Sequence, residues 1–429
     1  MVNSRIAGFY QLSVAERRAL VALELNLDVA ELSAKLERGG LDAARADKVI
    51  ENALGVYALP FGVGLNFRLN GRDFLAPMVV EEPSVVAAAS NAAKMIRAGG
   101  GFETQMNDPL LVAQIELRRV PDETRARAAL AERRDELLQR ANTALASLVR
   151  RGGGARDIEL RRLAEGHFVV HLAVDCCDAM GANLVNTAAE ALGDELARLC
   201  EGELGLCILS NLSDRRLATV RARIPVAALV GALPNADGTQ VADGIEAASR
   251  FAELDPYRAA THNKGVMNGV DSVVLATGND YRAVEAGAHA YAARSGHYSP
   301  LATWRRVGAE LHGELTLPLA LGIVGGTLRV HEGARLALAL AGVSSASELS
   351  QLCAAVGLAS NLAALRALST EGIQRGHMSL HARSLAVSVG AQGDEVEKTA
   401  RALMEGGEIT QDAAARCLLA VREAAPREG

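Results

Sequence analysis

The chain has 429 residues, 49% of them apolar and 22% charged, and its 45 basic against 51 acidic residues leave a formal charge of −6. This composition excludes a disordered chain, and the lack of any basic stripe excludes a general nucleic-acid binder. The longest charge-free run, the 17 residues Leu349–Leu365, is interrupted by Ser, Gln, Asn and Gly; a spanning helix needs roughly 20 mostly apolar residues, so no membrane partner is expected.

The length suggests two or three domains. With one Trp, six Tyr and seven Phe, the core has to be closely packed Ala, Leu and Val. The six cysteines show no CxxC and no framework spacing. Met1-Val-Asn-Ser-Arg5 leads into a polar helix without an apolar signal region. Free thiols in a reducing cytoplasm are the simplest reading.

Ser13 and Glu16 have capping-box spacing, and residues 14–55 read as helices broken at Asn26 and Gly39-Gly40. Asn66–Leu69 and Phe74–Val80 are strand-like, with the hairpin signal Asn70-Gly71 between them. A helix is predicted over Val85–Ala98, stopped by Gly99-Gly100-Gly101. A strand over Leu110–Val120 ends at Pro121, and one long helix is predicted over 122–151. The nine arginines from Arg118 to Arg151 are interleaved with acids and read as a solvated face.

After Gly152-Gly153-Gly154 come strands at Arg156–Leu163 and His167–Val174, a loop Asp178–Asn183, a helix Val185–Leu199, and strands near Cys207–Leu209 and Thr219–Ile224. The span from about 110 to 215 thus reads β-α-β-β-α-β, a ferredoxin-like unit. From Val241 Ala-rich helices take over, with an apolar strand predicted at Val273–Thr277. A Gly-rich stretch, Leu321–Thr327, follows a strand pair. Helices run from Glu332 to Leu368, and Gly390 and Gly406-Gly407 divide a helical C-terminal segment.

The motifs that carry chemistry each have a plain structural rival. Glu81-Glu82-Pro83-Ser84 precedes a helix, where acids and Pro suit the first turn; functionally it is a carboxyl at the lip of a site. His262-Asn263-Lys264-Gly265 and Asn268-Gly269 read as a loop before a strand. A Lys there is either solvated or holds its ammonium over a developing oxyanion. Asp280, closing Thr277-Gly278-Asn279-Asp280, is either a helix N-cap or a site carboxylate at a strand end.

Asp178-Ala-Met-Gly-Ala-Asn183 precedes a helix, and Gly181 lets a ligand approach amides that suit a pyrophosphate. No GxGxxG occurs in the chain, which argues against a conventional Rossmann domain. His377-Met-Ser-Leu-His381 has the spacing of a helical metal pair but no third ligand nearby, so no metal is expected. His377 reads instead as a proton carrier near neutral pH.

Together these motifs resemble class II 3-hydroxy-3-methylglutaryl-coenzyme A (HMG-CoA) reductase along essentially the full length. The resemblance rests on Glu51–Gly55, Asn70–Asp73, Val80–Ser84, Asp178–Asn183, Asp255–Gly265, Ala276–Asp280, Gly322–Thr327 and Ala367–Met378. It implies that a thioester is reduced twice by a nicotinamide cofactor, through a thiohemiacetal and an aldehyde, to mevalonate and free coenzyme A. Residue by residue it implies Glu82 as catalytic acid, Lys264 as oxyanion stabiliser, Asp280 as the carboxylate beside them, and His377 as proton donor to the departing thiolate.

Ser84, Arg258, Thr261 and Asn268 match the hydroxymethylglutaryl contacts. Asp178, Met180, Gly181, Ala182 and Asn183 match the dinucleotide contacts. The family works as a dimer with sites between subunits, and Glu51–Gly55 matches its dimerisation segment. The implied partners are therefore HMG-CoA, mevalonate, coenzyme A and a second copy of the chain, in a homodimer or an assembly of dimers. The motif wording most resembles the NADH-using, mevalonate-degrading branch, so NAD(H) is expected to be preferred, with NADP(H) also open. Leu145 stands where NADH-preferring members carry an acid, and Ser360 and Tyr10 replace larger polar or basic contacts.

The fold class expected is α+β. A large mixed substrate-binding and dimerisation domain (1–109 and 216–370) carries an inserted ferredoxin-like dinucleotide-binding domain (110–215) and a mobile helical C-terminal flap (371–429). The alternatives are a coenzyme A-thioester hydrolase or transferase that uses the same acids without a nicotinamide, and a non-catalytic helical scaffold or binding protein, in which the charged residues of the Gly-rich loops would have no use.

Overall fold

Asn70 and Gly71 both sit at positive φ, 47° and 84°, the left-handed conformations that a tight two-residue turn requires. Across them β1 (Phe61–Leu69) pairs antiparallel with β2 (Arg72–Val79). This computed structural model describes residues 3–37, 39–231, 237–370 and 373–424, with 327, 373–380 and 424 as backbone only.

The remaining strands are β3 (Phe102–Met106), β4 (Leu110–Arg118), β5 (Gly154–Ala164), β6 (His167–Asp175), β7 (Glu203–Leu209), β8 (Leu217–Pro225), β9 (Ala302–Val307) and β10 (Glu310–Pro318). They form two sheets. Six strands run in the order β2-β1-β3-β8-β10-β9, and four in the order β5-β6-β4-β7. Every pairing in the smaller sheet is antiparallel. With its crossover helices it is the predicted β-α-β-β-α-β unit, carrying its own core of Leu, Val and Ile.

The larger sheet packs against the helices Val85–Ala98, Gly238–Leu254, Pro256–Ala276 and Ala346–Ser369. Their shared core is rich in Ala, Leu and Val, as the composition requires, and contains the single Trp304, fully buried with its Nε1–H donating to Asn361 Oδ1 at 2.9 Å. Ala346–Ser369 is long and apolar enough to cross a membrane by composition, but it lies in this core. The helices Ile373–Ser388, Asp394–Gly406 and Gln411–Ala424 bury a separate small cluster around Ala382, Leu403 and Ala414.

Three expectations fail locally. The predicted single helix over 122–151 is three helices, Glu123–Glu132, Arg134–Ala144 and Ala146–Val149, broken at Arg133 and Leu145. No Gly or Pro marks either break. The short strand β3 was not foreseen, because Glu103, Thr104 and Gln105 give it no apolar alternation. The largest correction concerns residues 262–277. No loop and no strand exist there; Pro256–Ala276 is one helix of 21 residues, capped by Asp255, whose side chain accepts from the Arg258 N–H.

The two glycines that suggested a loop belong to that helix. Gly269 lies against the helix Ala346–Ser369 so closely that a Cβ would sit 2.5 Å from the Val356 carbonyl oxygen and 2.9 Å from Ser360 Cβ. A small residue at 360 therefore has a packing reason. Val273 and Val274 are fully buried. The C-terminal half of this helix is largely buried, and such a stretch loses the polar–apolar periodicity that distinguishes a helix from a strand.

Candidate functional site

Val79 ends β2, and Glu81–Ser84 turn the chain into the helix Val85–Ala98. Ser84 enters that helix at φ 75°, left-handed, without a capping bond from its side chain. Its Oγ is buried and has no hydrogen-bond partner among the described residues. A strained, non-glycine residue with an orphaned hydroxyl is a costly arrangement that a folded chain keeps where a ligand completes it.

Facing this turn is the helix Pro256–Ala276. Arg258, Thr261, Lys264 and Asn268 recur at spacings of three or four and so share one face of it. The Lys264 ammonium donates to Glu82 Oε2, and Asn268 Nδ2 donates to the same oxygen at 3.3 Å. The Lys264 side chain is still 60% exposed, so the pair is open to an incoming molecule. Arg258 has no ion-pair partner among the described residues; burial pushes its pKa down from the usual arginine value. Thr261 Oγ1 makes only a long bond, 3.4 Å, to the Tyr257 carbonyl. The cluster offers two cations, a carboxyl, an amide and an unpartnered hydroxyl, which suits an acyl substrate bearing both a carboxylate and a reacting carbonyl.

Asp178–Asn183 lies elsewhere, between β6 and the helix Ala182–Leu199. Asp178 is held at both ends: its Oδ1 accepts from the Ala346 N–H at 2.8 Å and its carbonyl from the Ile323 N–H at 2.9 Å. Gly181 has φ 107°, and a Cβ there would meet Cys176 Sγ at 2.3 Å, so only glycine fits. Met180 and Gly181 have backbone N–H groups with no acceptor among the described residues. Ala182 and Asn183 follow in the helix's first turn, where N–H groups are also unpaired. Amides arranged in this way at a helix N-terminus can cradle an anionic group.

Asp280 caps the helix Tyr281–Ala292, accepting from the Ala283 N–H at 3.1 Å. Beside it Asn279 clasps Gly322: Nδ2 donates to the Gly322 carbonyl at 3.1 Å, and Oδ1 accepts from its N–H at 2.8 Å. The Gly322 backbone touches the Ala179–Met180 peptide, and Ala179 bridges to Val324. Asp280 therefore belongs to the phosphate cradle's end of the molecule. It does not lie beside Lys264 and Glu82 within one chain. The twelve helical steps from Lys264 to Ala276 separate the two ends by about 18 Å at the ordinary rise per residue. The sequence hid this because the helix read as loop plus strand.

His377 lies in the helix Ile373–Ser388; its side chain lies outside the described residues. Leu145 is 2% exposed, within the smaller sheet's core, while Tyr10 is exposed on the rim of a groove of about 1180 Å³. His262 and Asn263, neighbours of Lys264, are structural. His262 Nε2 bonds the Ala302 carbonyl at 2.9 Å, and burial pushes its pKa down to about 4.

Sequence reasoning missed a chain of titratable groups that starts at Asp271 on the same helix and continues along the next one, Tyr281–Ala292. Asp271 has a buried Oδ1 without a partner. Burial, reinforced by the neighbouring Glu285 and Glu81 carboxylates, pushes its pKa up to about 9. Glu285 Oε2 meets His289 Nε2 at 2.7 Å, and His289 Nδ1 meets the Tyr298 hydroxyl at 2.7 Å. The hydrogen bond to Glu285 holds the His289 pKa above its ordinary value. The residue types Asp271, Glu285 and His289 are visible in the chain, but only the packing of two successive helices places them together.

A profile of the hydroxymethylglutaryl-coenzyme A reductase family matches residues 13–382. The chain is 45% identical over 426 residues, 98% of its length, to the 3-hydroxy-3-methylglutaryl-coenzyme A reductase of Archaeoglobus fulgidus, covering 95% of that protein. It is 37% identical over 339 residues to the probable reductase of Borreliella burgdorferi, covering 79% of this chain and 77% of that one. Among solved structures, the reductase of Streptococcus pneumoniae superposes with a TM-score of 0.82 at 41% identity, covering 97% of this chain and 99% of that one. A class II form from the same organism, bound to NADPH in open conformations, superposes at 0.81 with 41% identity, covering 85% and 99%.

Proposed function

The chain belongs to the hydroxymethylglutaryl-coenzyme A reductase family, and we propose how its residues divide the reaction between HMG-CoA and mevalonate. The activity is that of an HMG-CoA reductase, a nicotinamide-dependent oxidoreductase. When bound, the nicotinamide supplies hydride to the carbonyl carbon, which drives negative charge onto the carbonyl oxygen.

The observation that carries the division is the convergence of Lys264 and Asn268 on Glu82, next to the strained Ser84. Lys264 stabilises the developing oxyanion, a fixed ammonium doing what solvent would otherwise do with reorganisation. Glu82, already in contact with Lys264, delivers the proton that neutralises that oxygen. Arg258, a cation without an ion-pair partner among the described residues, takes the substrate carboxylate. Ser84, Thr261 and Asn268 orient the substrate. His377 protonates the departing thiolate when the C-terminal helices close over the substrate.

The residues of Asp178–Asn183 fit the phosphate groups of a nicotinamide dinucleotide: free amides at Met180 and Gly181, and a glycine where any Cβ would collide. Leu145 is packed into the core, so that position neither accepts from a ribose 2′-hydroxyl nor repels a 2′-phosphate. NAD(H), which the motif wording favours, and NADP(H) are then both used, with kcat/KM values within about tenfold, the span of a single weak contact. The six free thiols fit a reducing cytoplasm.

Since Asp280 cannot reach Lys264 in its own chain, a complete constellation takes Asp280 and the dinucleotide cradle from a second copy. The exposed apolar run Val49, Ile50, Leu54, Val56 and Tyr57 supports such a dimer. The test is a steady-state assay of dinucleotide absorbance with HMG-CoA in one direction, and with mevalonate plus coenzyme A in the other, using both dinucleotides. The reading fails if no dinucleotide is turned over in either direction. Mixing Lys264→Ala with Asp280→Ala subunits tests the shared site: random exchange restores about a quarter of wild-type activity if each site draws on two chains, and nothing if it does not.

A further inference from the structure

Arg216, in the turn between β7 and β8, has no exposed surface and no carboxylate in ion-pair contact among the described residues. Burying a guanidinium without a counter-charge is expensive, so its partners carry information. They are three backbone carbonyls. Nη1 reaches Ala179 O at 3.3 Å and Met180 O at 3.2 Å, and Nη2 donates to Leu321 O at 2.5 Å. Two of these belong to the loop that precedes the helix Ala182–Leu199. The third lies next to Gly322, which Asn279 clasps from the Asp280 corner.

A planar trans peptide points its C=O and its N–H in opposite directions. Gripping the carbonyls of Ala179 and Met180 therefore turns the N–H groups of Met180 and Gly181 away from Arg216. These are the two amides left without an acceptor. Lysine, a point charge, cannot hold three carbonyls in one plane as the guanidinium fork does.

We propose that Arg216 is a positioning residue for the dinucleotide: it aims the Met180 and Gly181 amides at the cofactor's phosphates and fixes that loop against the Leu321–Gly322 segment. The inference rests on the reading that Asp178–Asn183 holds the dinucleotide. Arg216 touches neither substrate nor cofactor, and its effect falls on dinucleotide binding while the acyl cluster at the far end of the helix Pro256–Ala276 stays intact.

The experiment compares Arg216→Lys, Arg216→Met and Gly181→Val in the full-length enzyme, with circular dichroism as the check on folding. In folded Arg216→Lys, the KM and Kd for the reduced dinucleotide should rise about tenfold or more, the value of one or two misplaced charge-assisted bonds, with KM for HMG-CoA within about twofold of wild type. Arg216→Met should be worse by the same readout. A merely structural role would instead lower kcat and raise both KM values in step with the loss of folded protein, and that result overturns the proposal. If Gly181→Val abolishes dinucleotide binding while Arg216→Lys leaves it unchanged, Arg216 alone is wrong. If Gly181→Val binds normally, the loop reading itself is wrong.

Hydrogen exchange on the wild type needs no variant to fold. Added NADH should slow exchange at Met180 and Gly181, and unchanged exchange there overturns the inference whatever the variants do.

Discussion

Lys264 and Glu82 meet across the gap between a helix and a turn 182 residues away in sequence, and Asn268, one helical turn on, donates to the same carboxylate oxygen. An ion pair this exposed contributes little to folding. Its removal should therefore separate activity from stability. Lys264→Ala is expected to lose about 100- to 1000-fold in kcat for both hydride steps, with a thermal midpoint close to wild type. A folded variant within about tenfold of wild-type activity would take Lys264 out of the reaction.

His377→Gln is expected to cripple thioester reduction yet spare the reduction of added mevaldehyde, because the aldehyde step releases no thiolate. His381 should tolerate the same change far better. Parallel loss of both reductions in the His377 variant would mean that it serves some other purpose.

Ser84 combines a left-handed backbone with an unpartnered hydroxyl. Ser84→Gly should relieve about 1 kcal/mol of strain and so unfold slightly later. The same change should raise KM for HMG-CoA about tenfold by removing one bond to substrate. An unchanged KM would show that the hydroxyl is not a substrate contact.

Asp271 sets a pH dependence. A carboxyl whose folded pKa lies above its unfolded value favours folding fully only below the unfolded value, about 4. That contribution is lost as pH rises through its folded pKa, about 9. Glu285, Glu81 and, through Glu285, His289 are the charged groups that face it. Asp271→Asn keeps the shape and cannot ionise. Its thermal midpoint should fall less than that of wild type between roughly pH 6 and 9, by an order of a few degrees. Parallel curves would show that Asp271 is not held protonated.

Leu145→Asp separates two effects at one position. An acid there would discriminate between cofactors only if it faced the ribose. Inside the core of the smaller sheet it should cost about 3 kcal/mol or more as an unpaired buried charge. The variant is expected to unfold early rather than to gain NADH selectivity. A stable, NADH-selective enzyme would show that the side chain can turn outward.

What could be read from the chain follows from how locally each feature is determined. Asn70-Gly71 announces its hairpin because both residues tolerate positive φ, and Gly181 announces the cradle because no Cβ fits there. The β-α-β-β-α-β unit is legible because its strands carry apolar runs and Pro121 and Gly152-Gly153-Gly154 mark where strand and helix change over. Ser84 is not legible, since its strain is imposed by the turn and nothing in the residue type reports it. Lys264 was found by its motif but placed on the wrong element. Gly265 and Gly269 look like loop residues until the neighbouring helix explains why no larger side chain fits at 269. The breaks at Arg133 and Leu145 carry no Gly or Pro that would announce them.

The helix Pro256–Ala276 has a consequence for how this chain can vary in length. It is a ruler between two chemistries. One residue inserted between Asn268 and Ala276 would swing the Thr277–Asp280 corner by about 100° and advance it about 1.5 Å. The Asn279 clasp on Gly322 would break, and the Asp280 carboxylate would turn with it. Insertions and deletions are therefore confined to the loops on either side. The number of residues between Asn268 and Asp280 acts as part of the machinery, although Val270, Val273 and Val274 within that interval are wholly buried.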